Sequence, residues 1–317
     1  MSAPSSKSGA VSKPAVDLQV SGGISGDRVF RRISLGSGIL ILVILALVAL
    51  FLLWQGLPGI TTDPAALPFG PFWSYVLPFA FGTIWSATLA LLMAVPLSIG
   101  IALFITHYAP RRLAAVLGYV IDLLAAVPSV VFGLWGINVL APGLVPFYRW
   151  LNEHLGFIPF FSGPVSSTGR TMLTAAGVLM VMILPIITAL CREVFLQVPS
   201  LLEEASLALG ATRWEMIRQV VFPFAKSGII AGAMLGLGRA LGETMAIAMV
   251  LSPSRVISFA LITPNNPNTI AANIALAFPE AYGLGTSQLI ATGLILFAIT
   301  MTVNMGARYI TRRLAMK

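Results

Sequence analysis

Pro199-Ser-Leu-Leu-Glu-Glu-Ala-Ser-Leu-Ala-Leu-Gly-Ala-Thr-Arg-Trp-Glu-Met-Ile-Arg-Gln-Val-Val-Phe-Pro223 is a polar island between two long apolar runs. Ser200 followed by Glu203 has the spacing of a capping box, which predicts a helix beginning near Leu201. Gly210 is placed to end that helix in the left-handed conformation. Thr212 with Glu215 repeats the capping-box spacing, and Pro223, which has no backbone donor, is expected to end the second helix. The segment therefore reads as two short charged helices joined by a hinge, held outside the lipid where another molecule can grip them.

The rest of the chain sets that island in a membrane. Of its 317 residues 57% are hydrophobic and 9% charged, whereas soluble domains carry about 25% charged residues. Cys191 is the single cysteine, so disulfides and thiolate metal clusters are excluded. His107 and His154 are too far apart in sequence to suggest a metal site. No Gly-x4-Gly-Lys-Ser/Thr loop occurs, which excludes ATP hydrolysis by that route, and no paired carboxylates suggest an enzyme. Gly236-x-Gly238-x3-Gly242 lies in an apolar run and reads as packing rather than a dinucleotide loop. No cofactor is implied.

Residues 1–27, rich in Ser, Gly, Lys and Pro, are expected to form a disordered cytoplasmic tail. The apolar run after Arg28, Arg31 and Arg32 is too long for a signal-peptide core and is expected to be retained. Runs long enough to cross about 30 Å of hydrocarbon fall near 33–56, 76–107, 113–140, 171–196, 226–252 and 286–309. The second is long enough to tilt, or to break at Pro96. With the N-terminus inside, 15 of the 19 basic residues lie on the cytoplasmic side; Arg149, Arg170 and Arg255 lie outside and Arg239 within a span. This positive-inside distribution puts both termini and the 197–225 loop in the cytoplasm, and it accounts for the net charge of +8 without nucleic acid. Loops 57–75 and 141–170, with Phe72, Trp73, Tyr148 and Trp150, read as interfacial. Loop 253–285, which contains Pro-Asn-Asn-Pro-Asn at 264–268, reads as exposed.

Several residues at membrane depth need a reason to be there. Pro96, in 94–100, and Pro128, in 126–136, each free a backbone carbonyl that protein or water must satisfy. Gly228, Gly232, Gly236 and Ala240 form a stripe that lets a neighbouring helix come close. Arg239 lies 13 residues beyond Lys226, about 20 Å along a helix, and on an unbroken helix it shares a face with Glu243. A charge at that depth costs at least about 2.5–3.5 kcal/mol, so the two are expected to pair and to face protein or water. Two readings are open: an ion pair that locks the helix, or an anion site on a transport path. In the second, the Arg239 fork matches a tetrahedral oxyanion, and Glu243 holds Arg239 when the path is empty. Asp122 is expected to be structural, paired with a base such as Lys226 or facing a water-filled cavity.

Glu204-Ala205-Ser206, Gly210 and Val220-x-Phe222-Pro223 keep the spacing of Glu-Ala-Ala-x3-Gly-x9-Ile-x-Leu-Pro. That segment resembles the coupling loop of ABC-importer permeases, with three conservative departures at Ser206, Val220 and Phe222. Pro128-Ser-Val-Val-Phe-Gly-Leu-Trp-Gly136 and Gly238-Arg-Ala-Leu-Gly-Glu-Thr-Met-Ala246 are similar to spans of the phosphate-specific permeases, nearer the C than the A subunit of that system. The resemblance covers residue 28 or so to the C-terminus. It implies an all-α membrane protein with six transmembrane helices, the type I ABC importer permease fold, in the cell (inner) membrane. It also implies a heterodimer with a second permease, two ATP-hydrolysing subunits, an extracytoplasmic phosphate-binding protein, and inorganic phosphate as the substrate. Arg239 and Glu243 are then translocation residues, and Glu203, Glu204, Ala205, Gly210 and Pro223 belong to the surface that docks on the ATPase. A permease for molybdate or sulfate is the near alternative. An ion-driven secondary transporter is the distant one, since it leaves the coupling loop unexplained.

Overall fold

The computed structural model describes residues 24–252 and 254–315. Residues 1–23 of the expected tail lie outside the described residues, and residues 24–27 are already helical. The chain divides into two units, Met1–Phe51 and Leu52–Lys317. The described part of the first is the opening of helix α1 (Ile24–Thr61), whose apolar side chains from Ile39 to Phe51 are largely exposed, as suits a lipid-facing helix.

Among the described residues every regular element is helical. After α1 come α2 (Phe72–Leu103), which a π turn extends to Tyr108, then α3 (Arg111–Ala125) and α4 (Ser129–Trp135). A second π turn joins α4 to α5 (Ala141–Leu155). α6 (Met172–Leu196), α7 (Ser200–Ala208) and α8 (Arg213–Met216) follow, and a third π turn leads into α9 (Phe222–Leu241). The chain ends with α10 (Met245–Val250), α11 (Ile270–Ala277) and α12 (Leu284–Ala315). Among the described residues six helices or continuous helical runs are long and apolar enough to cross a membrane: 28–61, 72–108, 129–155, 172–196, 213–241 and 284–309.

α6 is the central helix of the larger unit. In its most apolar window 56% of residues are buried, against 33% for α2 and 22% for the α8–α9 run. Thr171 starts it by accepting a hydrogen bond from the Thr174 amide at 3.2 Å. Ala175, Leu179, Met182, Ile183 and Ile187 form its buried core. The glycine stripe of α9 lies against it as the spacing predicts. A Cβ on Gly228 would collide with Val194, and one on Gly236 would sit 2.7 Å from Ile187 Cδ1. A second core joins Tyr75, Val76 and Phe79 of α2 to Ile270 of α11 and Leu289 of α12.

Several expectations are corrected. The third span is 129–155 rather than 113–140, because the helix breaks at Val127-Pro128 and α3 is a separate 15-residue amphipathic helix. Tyr148 and Trp150 therefore belong to a span and not to an outer loop, and Tyr148 is fully buried, 2.7 Å from Thr174 Oγ1. The fifth helix ends at Leu241 rather than 252, with Gly242 as its cap. α2 passes unbroken through Pro96. Pro223 does not end a helix: the preceding π turn, closed by the Phe222 amide on Ile217 O, places it in the first turn of α9, where a missing donor is tolerated. Loop 253–285 is exposed only in part: Ile257, Phe259 and Tyr282 are exposed, whereas Asn266, Pro267, Asn268 and Thr269 are buried. Asn266 Nδ2 donates to Thr263 O, and the Ile270 amide donates to Thr83 Oγ1 at 3.0 Å. Gly82 lets this segment reach α2, because a Cβ there would strike the Asn268 carbonyl.

Candidate functional site

The polar island folds as a helical hairpin. Gly210, at φ +89°, makes the turn between α7 and α8, a conformation costly for any side chain. The second capping box is present: the Thr212 amide donates to Glu215 Oε2 at 2.8 Å, and the Glu215 amide donates to Thr212 Oγ1 at 3.3 Å. The first is absent. Pro199 rather than Ser200 caps α7, without a side-chain bond, so α7 begins at Ser200. Glu203 turns elsewhere, its Oε1 lying 3.4 Å from Nε2 of His107 at the end of α2. His107 Nδ1 lies 2.6 Å from Thr106 Oγ1.

Aromatic rings form a chain of contacts from the end of α2 to α8. His107 meets Phe195 of α6 edge-on at 6.3 Å, Phe195 meets Phe222 at 6.5 Å, and Phe222 meets Trp214 of α8 at 6.3 Å. The outward face is uncovered. No residue of α7 is buried, Glu204 and Ala205 are exposed, and Leu201 and Leu209 are 74% and 91% exposed. Leu201 near the start of α7 and Leu209 just past its end are thus exposed apolar side chains on a charged hairpin.

The second feature is a cavity of about 800 Å³. Ile186 of α6 contributes to its wall; Ala231, Met234, Leu235, Gly238 and Arg239 line it from α9, and Asn304, Ala307 and Arg308 from α12. Arg239 sits in the last turn of α9, where the partial negative charge of the helix C-terminus favours a cation. Its Nε is buried with no hydrogen-bond partner. A buried donor left unmade costs about 1–3 kcal/mol, more for a charged group, so this guanidinium is poised for an acceptor.

Glu243 is not that acceptor. Among the described residues no ion pair joins Arg239 to Glu243. The expected pairing required an unbroken helix, and the helix stops at Leu241. Glu243 is buried one residue before the Thr244 cap of α10, its Oε1 accepting from the Ala246 amide in the helix's first turn at 3.0 Å. The far end of α10 is held by Arg170, whose Nη2 donates to Met249 O and Leu251 O at 3.0 and 3.1 Å. The 128–136 segment, similar to phosphate-specific permeases, packs here against α10. A Cβ on Gly133 would lie 2.9 Å from the Ala246 Cα, and one on Gly136 3.0 Å from Val250 Cγ2. Asp122 pairs with Arg192, its Oδ2 lying 3.9 Å from Arg192 Nη1, and both side chains are partly or largely exposed.

Sequence reasoning missed His107, Arg170 and Asn304. Only Asn304 carried a signal, as an amide in an apolar span four residues before Arg308.

Residues 94–316 match the family of binding-protein-dependent transport system inner membrane components. A phosphate transport system permease protein, PstC 2, of Mycobacterium tuberculosis is 45% identical over 303 residues, covering 90% of this chain and 91% of that protein. PstC proteins of Mesorhizobium japonicum and Xylella fastidiosa are 41% and 40% identical, each over at least 90% of both chains. Among solved structures, a chain of a bacterial alginate ABC importer superposes with a TM-score of 0.61 at 17% identity, over 90% of this chain and 98% of that one. A chain of the MetNI methionine ABC transporter gives 0.52 at 16% identity, over 76% and 94%. The fold is thus that of type I ABC importer permeases, in a multi-pass protein of the inner membrane.

Proposed function

The chain belongs to the family of binding-protein-dependent transport system inner membrane components, and on that footing we propose that it is a permease subunit of an ATP-driven importer of inorganic phosphate. Its relatives bear the name of phosphate transport permeases. The observation that carries the reading to this chain's own residues is the guanidinium of Arg239, which lines a cavity with a buried, unpartnered Nε and no carboxylate paired to it among the described residues.

The termini and the α7–α8 hairpin face the cytoplasm, as the distribution of basic residues favours. The permease pairs with a second, related permease, and two ATP-hydrolysing subunits sit beneath the pair. An extracytoplasmic phosphate-binding protein delivers the anion. Glu204, Ala205 and the exposed leucines dock in the ATPase. Glu203 ties that surface to the end of α2 through His107. Gly210 sets the hairpin's turn, and Pro223 carries its motion through the π turn into α9. Closure of the nucleotide subunits around ATP moves the hairpin; the aromatic link passes this to α2, α6 and α9 and opens the path outward. Hydrolysis returns it inward.

Arg239 contacts the passing phosphate, for which its planar fork gives two parallel charge-assisted bonds. Glu243 acts by position: by holding the first turn of α10 through the Ala246 amide it fixes the break after Leu241 that leaves Arg239 free of a carboxylate partner. ATP hydrolysis belongs to the partner chains.

The test is phosphate uptake by phosphate-starved cells lacking this gene, with sulfate and molybdate as competitors. Restoration of uptake by this chain, undiminished by either competitor, is expected. Gene-dependent entry of sulfate or molybdate in place of phosphate overturns the substrate.

A further inference from the structure

The cavity beside Arg239 has a second cationic wall. Asn304 and Arg308 are one helical turn apart on α12, so both present to the cavity from the same face. Neither has a hydrogen-bond or ion-pair partner among the described residues, and the lining contains no Asp or Glu. The remaining lining is apolar or glycine, which focuses the field of two guanidinium groups rather than screening it. Ala231 and Arg239 mark a length of eight residues on α9, about 12 Å at 1.5 Å per residue, so the cavity spans more than one anion position. Arg308 stands two turns before the end of α12 at Ala315, which is the cytoplasmic end in the proposed orientation.

We propose that Asn304 and Arg308 form a second oxyanion station, through which the anion passes from Arg239 toward the cytoplasm. This rests on the proposed import function and adds to it the residues of the exit. Arg308 supplies a fork of charged donors, and the Asn304 amide supplies a neutral one. Two stations of the same sign along one cavity let an anion leave the first without crossing an apolar gap, and the absence of an opposing carboxylate keeps both available. An arginine that merely anchored a helix end at the headgroups would act through its charge and stem alone, and lysine would replace it fully.

The experiment places a cysteine at Ala231, on the cavity wall but outside the proposed donors, in the assembled complex. Reaction rates with an anionic and a cationic methanethiosulfonate reagent of similar size are compared, each normalised to its rate on a free thiol. Cys191 is buried and serves as the unreactive internal thiol. The expected result is a preference for the anionic reagent of at least about tenfold, with inorganic phosphate slowing the reaction. R308Q reduces both the preference and the protection, N304A weakens protection, and R308K retains the preference but loses protection. An anionic preference and a phosphate protection that are both unchanged in R308Q overturn the second station; if R239Q still abolishes protection, the proposed function survives that result. Protection by sulfate or molybdate but not by phosphate, still dependent on Arg308, supports the station and overturns the phosphate reading.

Discussion

Gly236 and Gly238 are two residues apart on α9, yet the same added methyl group should act on them differently. Replacing either glycine by alanine gains about 1 kcal/mol of helix propensity. At Gly238 nothing lies within 4 Å of the new Cβ, so the gain is kept. At Gly236 the Cβ would sit 2.7 Å from Ile187 Cδ1 and 2.8 Å from Cγ1, where carbon atoms settle at about 3.5–4.0 Å. Ile187 is fully buried and cannot swing clear, so α6 and α9 must part by most of that shortfall. Overpacking of this kind costs about 1–3 kcal/mol. Because the propensity gain cancels between the two variants, G236A should be less stable than G238A by that whole amount. Thermal unfolding of the purified complex, followed by loss of this subunit from solution, ranks the two. Equal midpoints would refute the close approach of α9 to α6 at this level.

Three further outcomes are expected. Q288L removes an amide that donates to Gly70 O at 2.8 Å and accepts from the Phe69 amide at 3.3 Å; the loss, about 1–3 kcal/mol, should appear as a lowered unfolding midpoint. R170M frees the carbonyls at the end of α10 and costs about 1.5–3 kcal/mol for the charged bonds, with faster proteolysis after residue 251 as the readout. L209D changes a residue that is 91% exposed; it should leave the unfolding midpoint unchanged and weaken capture of the ATPase subunit at least about tenfold, as loss of an interface anchor does.

Hydropathy made the six crossings legible, and capping chemistry made the Thr212–Glu215 turn legible, because both depend on neighbouring residues alone. The glycine stripe of α9 was readable for the same reason, although its partner helix was not. What failed depended on where a helix breaks. Residues 113–125 are apolar enough to merge with 129–140 in a hydropathy reading, and Pro128 read as lying within one span when it is the cap of a new helix. Gly242 looked like a packing glycine, so Arg239 and Glu243 were assigned a shared face that the break at Leu241 removes. Pro223 read as a stop because a π turn cannot be seen in residue spacing. Residues 264–268 carry the composition of an exposed loop, yet Asn266, Pro267 and Asn268 are buried, Asn266 donating to Thr263 O and Gly82 admitting the Asn268 carbonyl. The α7–α8 hairpin was legible as a shape, whereas His107, 96 residues from Glu203 in sequence, could only be found in three dimensions.

The most direct measurement is labelled phosphate accumulated per ATP hydrolysed by the complete importer in proteoliposomes, with this chain wild type or carrying R239L. The wild-type complex should couple hydrolysis to phosphate entry, while R239L assembles and hydrolyses ATP but moves no phosphate. Phosphate entry at the wild-type ratio through R239L would contradict the account.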